Sequence, residues 1–179
     1  MVAAPHCQTA RGLVRMNYAP VLMTPDRRSE PVMELRRDDF LLSTDPRRLD
    51  LAVIHGFLRE SYWAKGIPRE TVARSLANSW CVGIYRCGQQ VAFARVISDF
   101  ATYAYLADVF VLPSFRGRGL GKWMIESILD HPRLQRLRRW SLVTGDAHGL
   151  YAQFGFTSPK WPETYMERYD ADVYERGQA

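Results

Sequence analysis

"DVFVLPSFRGRGLGKWMIESIL", Asp108 to Leu129, joins an apolar run of strand-forming residues to a helix-forming run through a turn rich in glycine and arginine. Leu120, Met124 and Ile128 recur at helical spacing, with Trp123 and Ile125 beside them, so a helix begins inside the glycine motif and ends at His131-Pro132. Gly117, Gly119 and Gly121 let the backbone turn tightly and expose successive amides, and the helix start adds unpaired N–H groups and the positive end of its dipole. A pyrophosphate suits such a junction. A glycine-rich turn with solvated arginines is the plainer alternative. A P-loop is excluded, because Arg116 and Trp123 stand where its first glycine and its hydroxyl belong. A dinucleotide fingerprint fails too: Lys122 falls at its third glycine, and no parallel βαβ unit precedes it.

Outward from this stretch the chain reads as a mixed α+β domain. "VMELRRDDFLLS" reads as a first strand over Val32–Ser43, followed by a helix with Asp45 as its cap and Leu49, Val53, Phe57 and Leu58 on one face. A second helix follows Pro68, with Val72 and Leu76 aligned and Asn78 as its stop. Two β-branched and aromatic runs, broken at "CGQQ" and "SDFA", predict a three-stranded antiparallel meander. Beyond the central helix come a strand at "RRWSLVTG", a short helix at "AHGLYAQFG", and closing strand material through Tyr165 and Met166. Residues 1–31 show no sustained apolar period and read as an extension, leaving one domain over 32–179.

The chain has 179 residues, 47% of them hydrophobic, enough for one domain with a real core. The net charge of +5 suits an anionic partner without naming it. A nucleic-acid binder would rest on that charge alone and would betray itself by steep salt dependence; no nucleic acid is expected. The 3 cysteines show no metal-ligand spacing, and their odd number disfavours a disulfide framework, so no metal is expected and a reducing, cytoplasmic setting fits. No apolar stretch approaches the roughly 20 residues that span a bilayer, and no membrane partner is expected.

"DVFVLPSFRGRGLGKWMIESIL" followed by "GLYAQFGF" resembles the GNAT superfamily of acyl-CoA-dependent N-acetyltransferases. Arg116, Gly119 and Gly121 meet the family's R/Q-x-x-G-x-G/A signature, and Tyr151, Gly155 and Phe156 meet its Y-x-x-x-G-F signature. The likeness extends over Val32–Tyr169 and departs from the common pattern at Thr144, where many members carry asparagine. It implies the GNAT fold, a mixed, mostly antiparallel sheet flanked by helices. It implies acetyl-CoA as cosubstrate, its pyrophosphate held by Arg116, Gly117, Arg118, Gly119, Leu120, Gly121 and Lys122. It also implies that the strand before the loop splays from its neighbour, so that Val109, Phe110 and Val111 pair with the pantetheine and one amide stabilises the oxyanion. The acceptor becomes a primary amine, expected on a small molecule, attacking directly in a ternary complex formed by a monomer or homodimer. A protein amine, or a non-catalytic acyl-CoA sensor, are the other readings.

An alkylammonium of pKa about 10.4 must lose a proton before attack. Asp108 is placed to act as that base, directly or through a water, or else to pair with an arginine. Tyr151 is placed to protonate the leaving thiolate, whose parent thiol has a pKa of about 8.5, or else to serve as an anchored core tyrosine. His55 and His148 read as structural, Cys81 and Cys87 as packing residues on one strand face. Arg133, Arg136, Arg138 and Arg139 read as a solvated helix end, with the 3′-phosphate of CoA as the alternative. Tyr62, Trp63, Trp80 and Tyr103 are expected to line the acceptor mouth, where aromatic walls favour an apolar or cationic amine.

Overall fold

Asp38 decides how the chain enters its sheet. Its backbone is left-handed, φ +53°, a conformation that short polar residues tolerate. The expected single strand over Val32–Ser43 is therefore two: β1, Glu34–Arg37, and β2, Phe40–Ser43, paired antiparallel from Glu34↔Ser43 to Arg37↔Phe40. The structure, a computed structural model, describes residues 31–174 and 176. The extension expected over residues 1–31 lies outside the described residues apart from Pro31, as does Cys7.

Asp45 caps a separate 3-10 turn, Pro46–Arg48, and not the first helix as its sequence context suggested. Helix α1, Leu51–Leu58, has its own cap in Asp50, whose Oδ1 accepts from the amides of Ala52 at 2.9 Å and Val53 at 3.1 Å. The later start leaves Leu49 outside the helix and turns Ile54 and Leu58 into the core. Replacing Asp50 by Ala is expected to cost about 1 kcal/mol. A thermal melt should show a midpoint lower by about 2–4 °C; an unchanged midpoint would mean that packing alone holds α1. Helix α2, Arg69–Ala77, starts after Pro68 and stops at Asn78 as expected.

The meander forms as read: β3, Trp80–Arg86, β4, Gln89–Ser98, and β5, Tyr103–Val111. Cys87 and Gly88 make the two-residue turn between β3 and β4, both with positive φ, 49° and 80°, as a type I′ hairpin requires. Cys87 is therefore exposed on a turn, and only Cys81 is buried in the strand, which corrects the expectation that both share one face of it. Helix α3, Leu120–Leu129, then crosses back to β6, Arg139–Ser141, which runs parallel to β5. Helix α4, His148–Ala152, follows. Among the described residues β6 is the last strand. The tail expected to close the sheet at Tyr165 and Met166 runs exposed past a 3-10 turn, Pro162–Thr164. Pro159 and Pro162 deny this stretch the donors a strand ladder needs.

The result is a 6-stranded sheet in the order β1-β2-β3-β4-β5-β6, antiparallel up to β5, with helices on both faces. Period-two alternation divides the core. Val82, Ile84, Ala92, Ala94 and Val96 pack with Leu120, Met124, Ile125 and Ile128 of α3 on one face. Cys81, Phe93 and Phe110 pack with Ile54, Leu58 and Val72 of α1 and α2 on the other. Alanine at 92, 94 and 104 lets α3 lie close to the sheet. Among the described residues no helix is long and apolar enough to cross a membrane.

Candidate active site

The parallel pairing of β5 with β6 covers only Tyr103↔Arg139, Ala104↔Trp140 and Tyr105↔Ser141. Beyond Tyr105, among the described residues, β5 continues to Val111 with its outer edge unpaired. That edge is a row of free backbone donors and acceptors. On its other edge the register with β4 shifts between Phe93↔Phe110 and Arg95↔Ala107, so that Asp108 and Val109 together oppose Ala94. This is a β-bulge, a device that re-aims groups beside functional sites.

Asp108 carries the bulge. Its φ of +54° is left-handed, and Arg95 Nε donates to its Oδ2 at 2.7 Å while Arg95 Nη1 donates to Ser79 Oγ at 3.2 Å. The two side chains are nearly enclosed, 15% and 12% exposed. The arginine pairing foreseen as one role for Asp108 is thus present in the structure.

β5 leads through a 3-10 turn at Pro113–Phe115 into the glycine turn. Gly117 and Gly119 have φ of +75° and +73°, and Gly119 is the N-cap of α3, with no side chain capping the helix. Among the described residues the amides of Gly117, Arg118, Gly119, Leu120, Gly121 and Lys122 meet no acceptor. Arg116 Nε donates to Val111 O at 3.1 Å, and the Arg116, Arg118 and Lys122 side chains are on the surface. Arg37 of β1, which sequence reading passed over, braces the turn: its Nη2 donates to Arg118 O at 2.8 Å and its guanidinium lies over Trp123, 5.1 Å from the ring centre. The residues present fit an acyl-CoA diphosphate, because an exposed run of unpaired amides at a helix head has the chemistry of an anion cradle.

Tyr151 is buried on α4, edge-on to Phe156 with 5.9 Å between ring centres. Burial, with smaller effects from Tyr62 and Asp146, pushes its hydroxyl up to about 12. Thr144, at the position where the family pattern has asparagine, accepts the amide of Ala147 at 3.0 Å on its hydroxyl and so shapes the entry to α4. Tyr62 reaches across from the loop after α1, its hydroxyl accepting the amide of Gly145 at 2.8 Å. Trp63 packs edge-on against it.

A cavity of about 640 Å³ is lined among others by Tyr62, Trp63, Asp108, Val109 and Tyr151, and residues 116–122 of the glycine turn are not in its lining. Phe110 turns its ring away from it, stacked on Phe57 at 4.0 Å. Val111 packs against the α3 side of the core. Trp80 and Tyr103 do not reach the cavity. Trp80 is buried in the α3-side core against His131, and Tyr103 bonds Ser141 through its hydroxyl where β5 still pairs with β6. His55 Nε2 bonds Ile67 O at 3.1 Å and His148 is exposed. Of the arginine cluster, Arg133 lies over Phe100 and Arg139 over Tyr165. Residues that sequence reading missed complete the walls: Arg95 and Tyr105 from the sheet, Thr71 and Ser75 from α2, and Glu167 and Tyr169 from the C-terminal segment.

Comparison with other proteins identifies the family and the fold. A family model described as an acetyltransferase (GNAT) domain matches residues 77–158. A Gibberella zeae protein named as a candidate acetyltransferase is 32% identical over 140 residues, which are 65% of this chain and 78% of that protein. A crystal structure from Xanthomonas campestris pv. campestris, described as a candidate GNAT-family acetyltransferase, is 53% identical and superposes with a TM-score of 0.74 over 75% of this chain and 96% of its own. A Clostridium acetobutylicum structure, described as a predicted acetyltransferase with acetyl-CoA, is 16% identical with a TM-score of 0.55 over 73% of this chain and 94% of its own, a likeness of fold alone. The chain belongs to the GNAT family. Its open sheet is the GNAT fold, and by family and fold it is an acetyltransferase.

Proposed function

We propose that the protein transfers the acetyl group of acetyl-CoA to a primary amine of a small molecule by direct attack in a ternary complex. The observation that carries this reading is the run of unpaired amides from Gly117 to Lys122 at the head of α3, next to a strand whose outer edge is open. A diphosphate on those amides leaves the pantetheine to follow the free edge of β5 toward the bulge. The Clostridium structure that shares this fold is described with acetyl-CoA, which suits the same cosubstrate.

Acetyl-CoA supplies a thioester carbonyl already activated for attack. The chain supplies the rest. An amide among Val109, Phe110 and Val111 stabilises the oxyanion as the amine adds. Asp108, at the reacting end of the cavity, takes the ammonium proton directly or through a water. Tyr151 passes its hydroxyl proton to the sulfur as the C–S bond breaks and CoA leaves as the thiol, and it regains a proton as the new amide nitrogen sheds its second one. Tyr62 and Trp63 form the acceptor walls. Thiol release from acetyl-CoA with a panel of amines tests the reading: release that depends on a small amine is expected. Tight binding of acetyl-CoA with no release on any small amine would replace it by the sensor reading, or by a protein acceptor.

Gly119 gives a direct probe of the cradle. Ala in its left-handed conformation costs about 1–2 kcal/mol, and its Cβ would stand 3.3 Å from Arg37 Nη2. Gly119→Ala is expected to weaken acetyl-CoA binding at least ~10-fold, since a displaced turn no longer converges its amides. Gly149→Ala, in open space on α4, should leave affinity unchanged. Equal affinities for both variants in a calorimetric titration would contradict the cradle.

A further inference from the structure

The protein carries +5 overall, yet the cavity beyond the bulge is acidic. Its lining contains the carboxylates of Asp108, Asp146 and Glu167 and, among the described residues, one cationic side chain, Arg95, already committed to Asp108. Asp146 and Glu167 remain as charges without a cationic partner in the lining. Both are exposed carboxylates on the same cavity lining as the Tyr151 and Tyr105 side chains. Aromatic residues share the remaining wall, Tyr62 and Trp63 from the loop after α1 and Tyr169 and Tyr174 from the C-terminal segment. A second hollow of about 670 Å³ continues past the same four rings. The basic groups of the glycine turn, Arg116, Arg118 and Lys122, are exposed and are not part of the cavity lining.

We infer that the acceptor is an amine cation on an apolar, aromatic or alkyl body that bears no carboxylate. Asp146 and Glu167 attract the ammonium, the ring faces hold both its body and its charge, and the same two carboxylates repel an α-carboxylate brought beside the amine. An amino acid and the amine formed from it by loss of CO2 differ in that one group, so the cavity discriminates between them. Glu167 and Asp146 are then the specificity-determining residues, with the C-terminal segment as the wall that selects the acceptor.

This inference rests on the acetyl-transfer reading but is tested apart from it, by equilibrium binding to the protein saturated with CoA, where no transfer occurs. Calorimetric titrations compare tyramine with tyrosine and tryptamine with tryptophan. The decarboxylated member of each pair should bind at least ~10-fold more tightly, about 1.4 kcal/mol. The variant Asp146→Asn with Glu167→Gln should shrink that gap to about threefold or less, while CoA affinity stays as in the unmodified protein. Equal affinity within a pair, preference for the amino acid, or no binding of either amine overturns the inference. Amines that bind in preference to their amino acids, with no thiol released from acetyl-CoA on any small amine of the panel, would instead overturn the transfer reading and leave the binding preference standing.

Discussion

Tyr151→Phe is expected to lower kcat by about 10²-fold or more and to leave acetyl-CoA affinity within twofold. The tyrosine lies on α4, away from the glycine turn, so loss of its oxygen removes a donor at the reacting end without touching the cradle. Its hydroxyl, raised by burial to about 12, keeps its proton across the working range of an amine acetyltransferase. In the proposed reaction it therefore stays a hydrogen-bond donor to the leaving sulfur. Full transfer of its proton to a thiolate of parent pKa about 8.5 runs uphill from a phenol at about 12, and is completed only because the new amide nitrogen returns a proton to the phenol oxygen. The sign of the pH effect follows. Burial keeps the group protonated over about pH 8 to 10, so an alkaline fall in kcat in that range is expected from another group, and the Phe variant should retain the shape of the wild-type profile there. The same upward shift favours the neutral form on folding. Its contribution to stability is complete below the unfolded value of about 10 and is lost as pH rises toward about 12. Unchanged kcat in the Phe variant would return Tyr151 to the role of a core anchor.

Asp108→Ala is expected to destabilise the fold by about 3 kcal/mol, a fall in melting midpoint of about 6–12 °C for a domain of this size. The reason is the enclosure of its partner: Arg95 is 15% exposed and would lose the carboxylate that neutralises it. The Ala variant also places a residue poorly suited to a left-handed backbone at φ +54°. Asp108→Asn separates the two causes, because an amide oxygen can still accept from Arg95 and Asn tolerates that backbone. It should lose less than half as much stability while reporting the charge's part in catalysis. If the Ala variant melts within 2 °C of wild type, the pair is not what holds the bulge. In that case the amides beyond it need another explanation for their orientation.

Much of the cradle was legible because its chemistry is local. "RGRGLG" needs no distant partner to turn, and two of its glycines, Gly117 and Gly119, occupy positive φ at the head of α3. The meander was legible for the same reason, through period-two runs and the Cys87-Gly88 turn. Long-range features were not. The brace from Arg37 to Arg118 joins residues 81 apart in sequence, and no local pattern signals it. The break in β5–β6 pairing after Tyr105 is implied by the family resemblance, not by any local pattern in β5. Parity decided the aromatic candidates: Trp80 shares the face of Val82 and Ile84 beneath α3, whereas the cavity opens elsewhere. At Asp38 a run that reads as one strand folds into a hairpin, because an aspartate accepts a backbone that most residues refuse. Glu167 and Tyr169 come from a segment without periodicity, and only its path past the cavity gives them a role.

The amides from Gly117 to Lys122 are the centre of this account, and a paired calorimetric titration tests them most directly. CoA and pantetheine share the thiol arm but only CoA has the diphosphate. Binding of CoA at least ~100-fold tighter than pantetheine, about 2.7 kcal/mol, with that advantage largely lost in Gly119→Ala, is the expected result. Equal binding of the two, or an advantage for CoA that Gly119→Ala leaves intact, would contradict it.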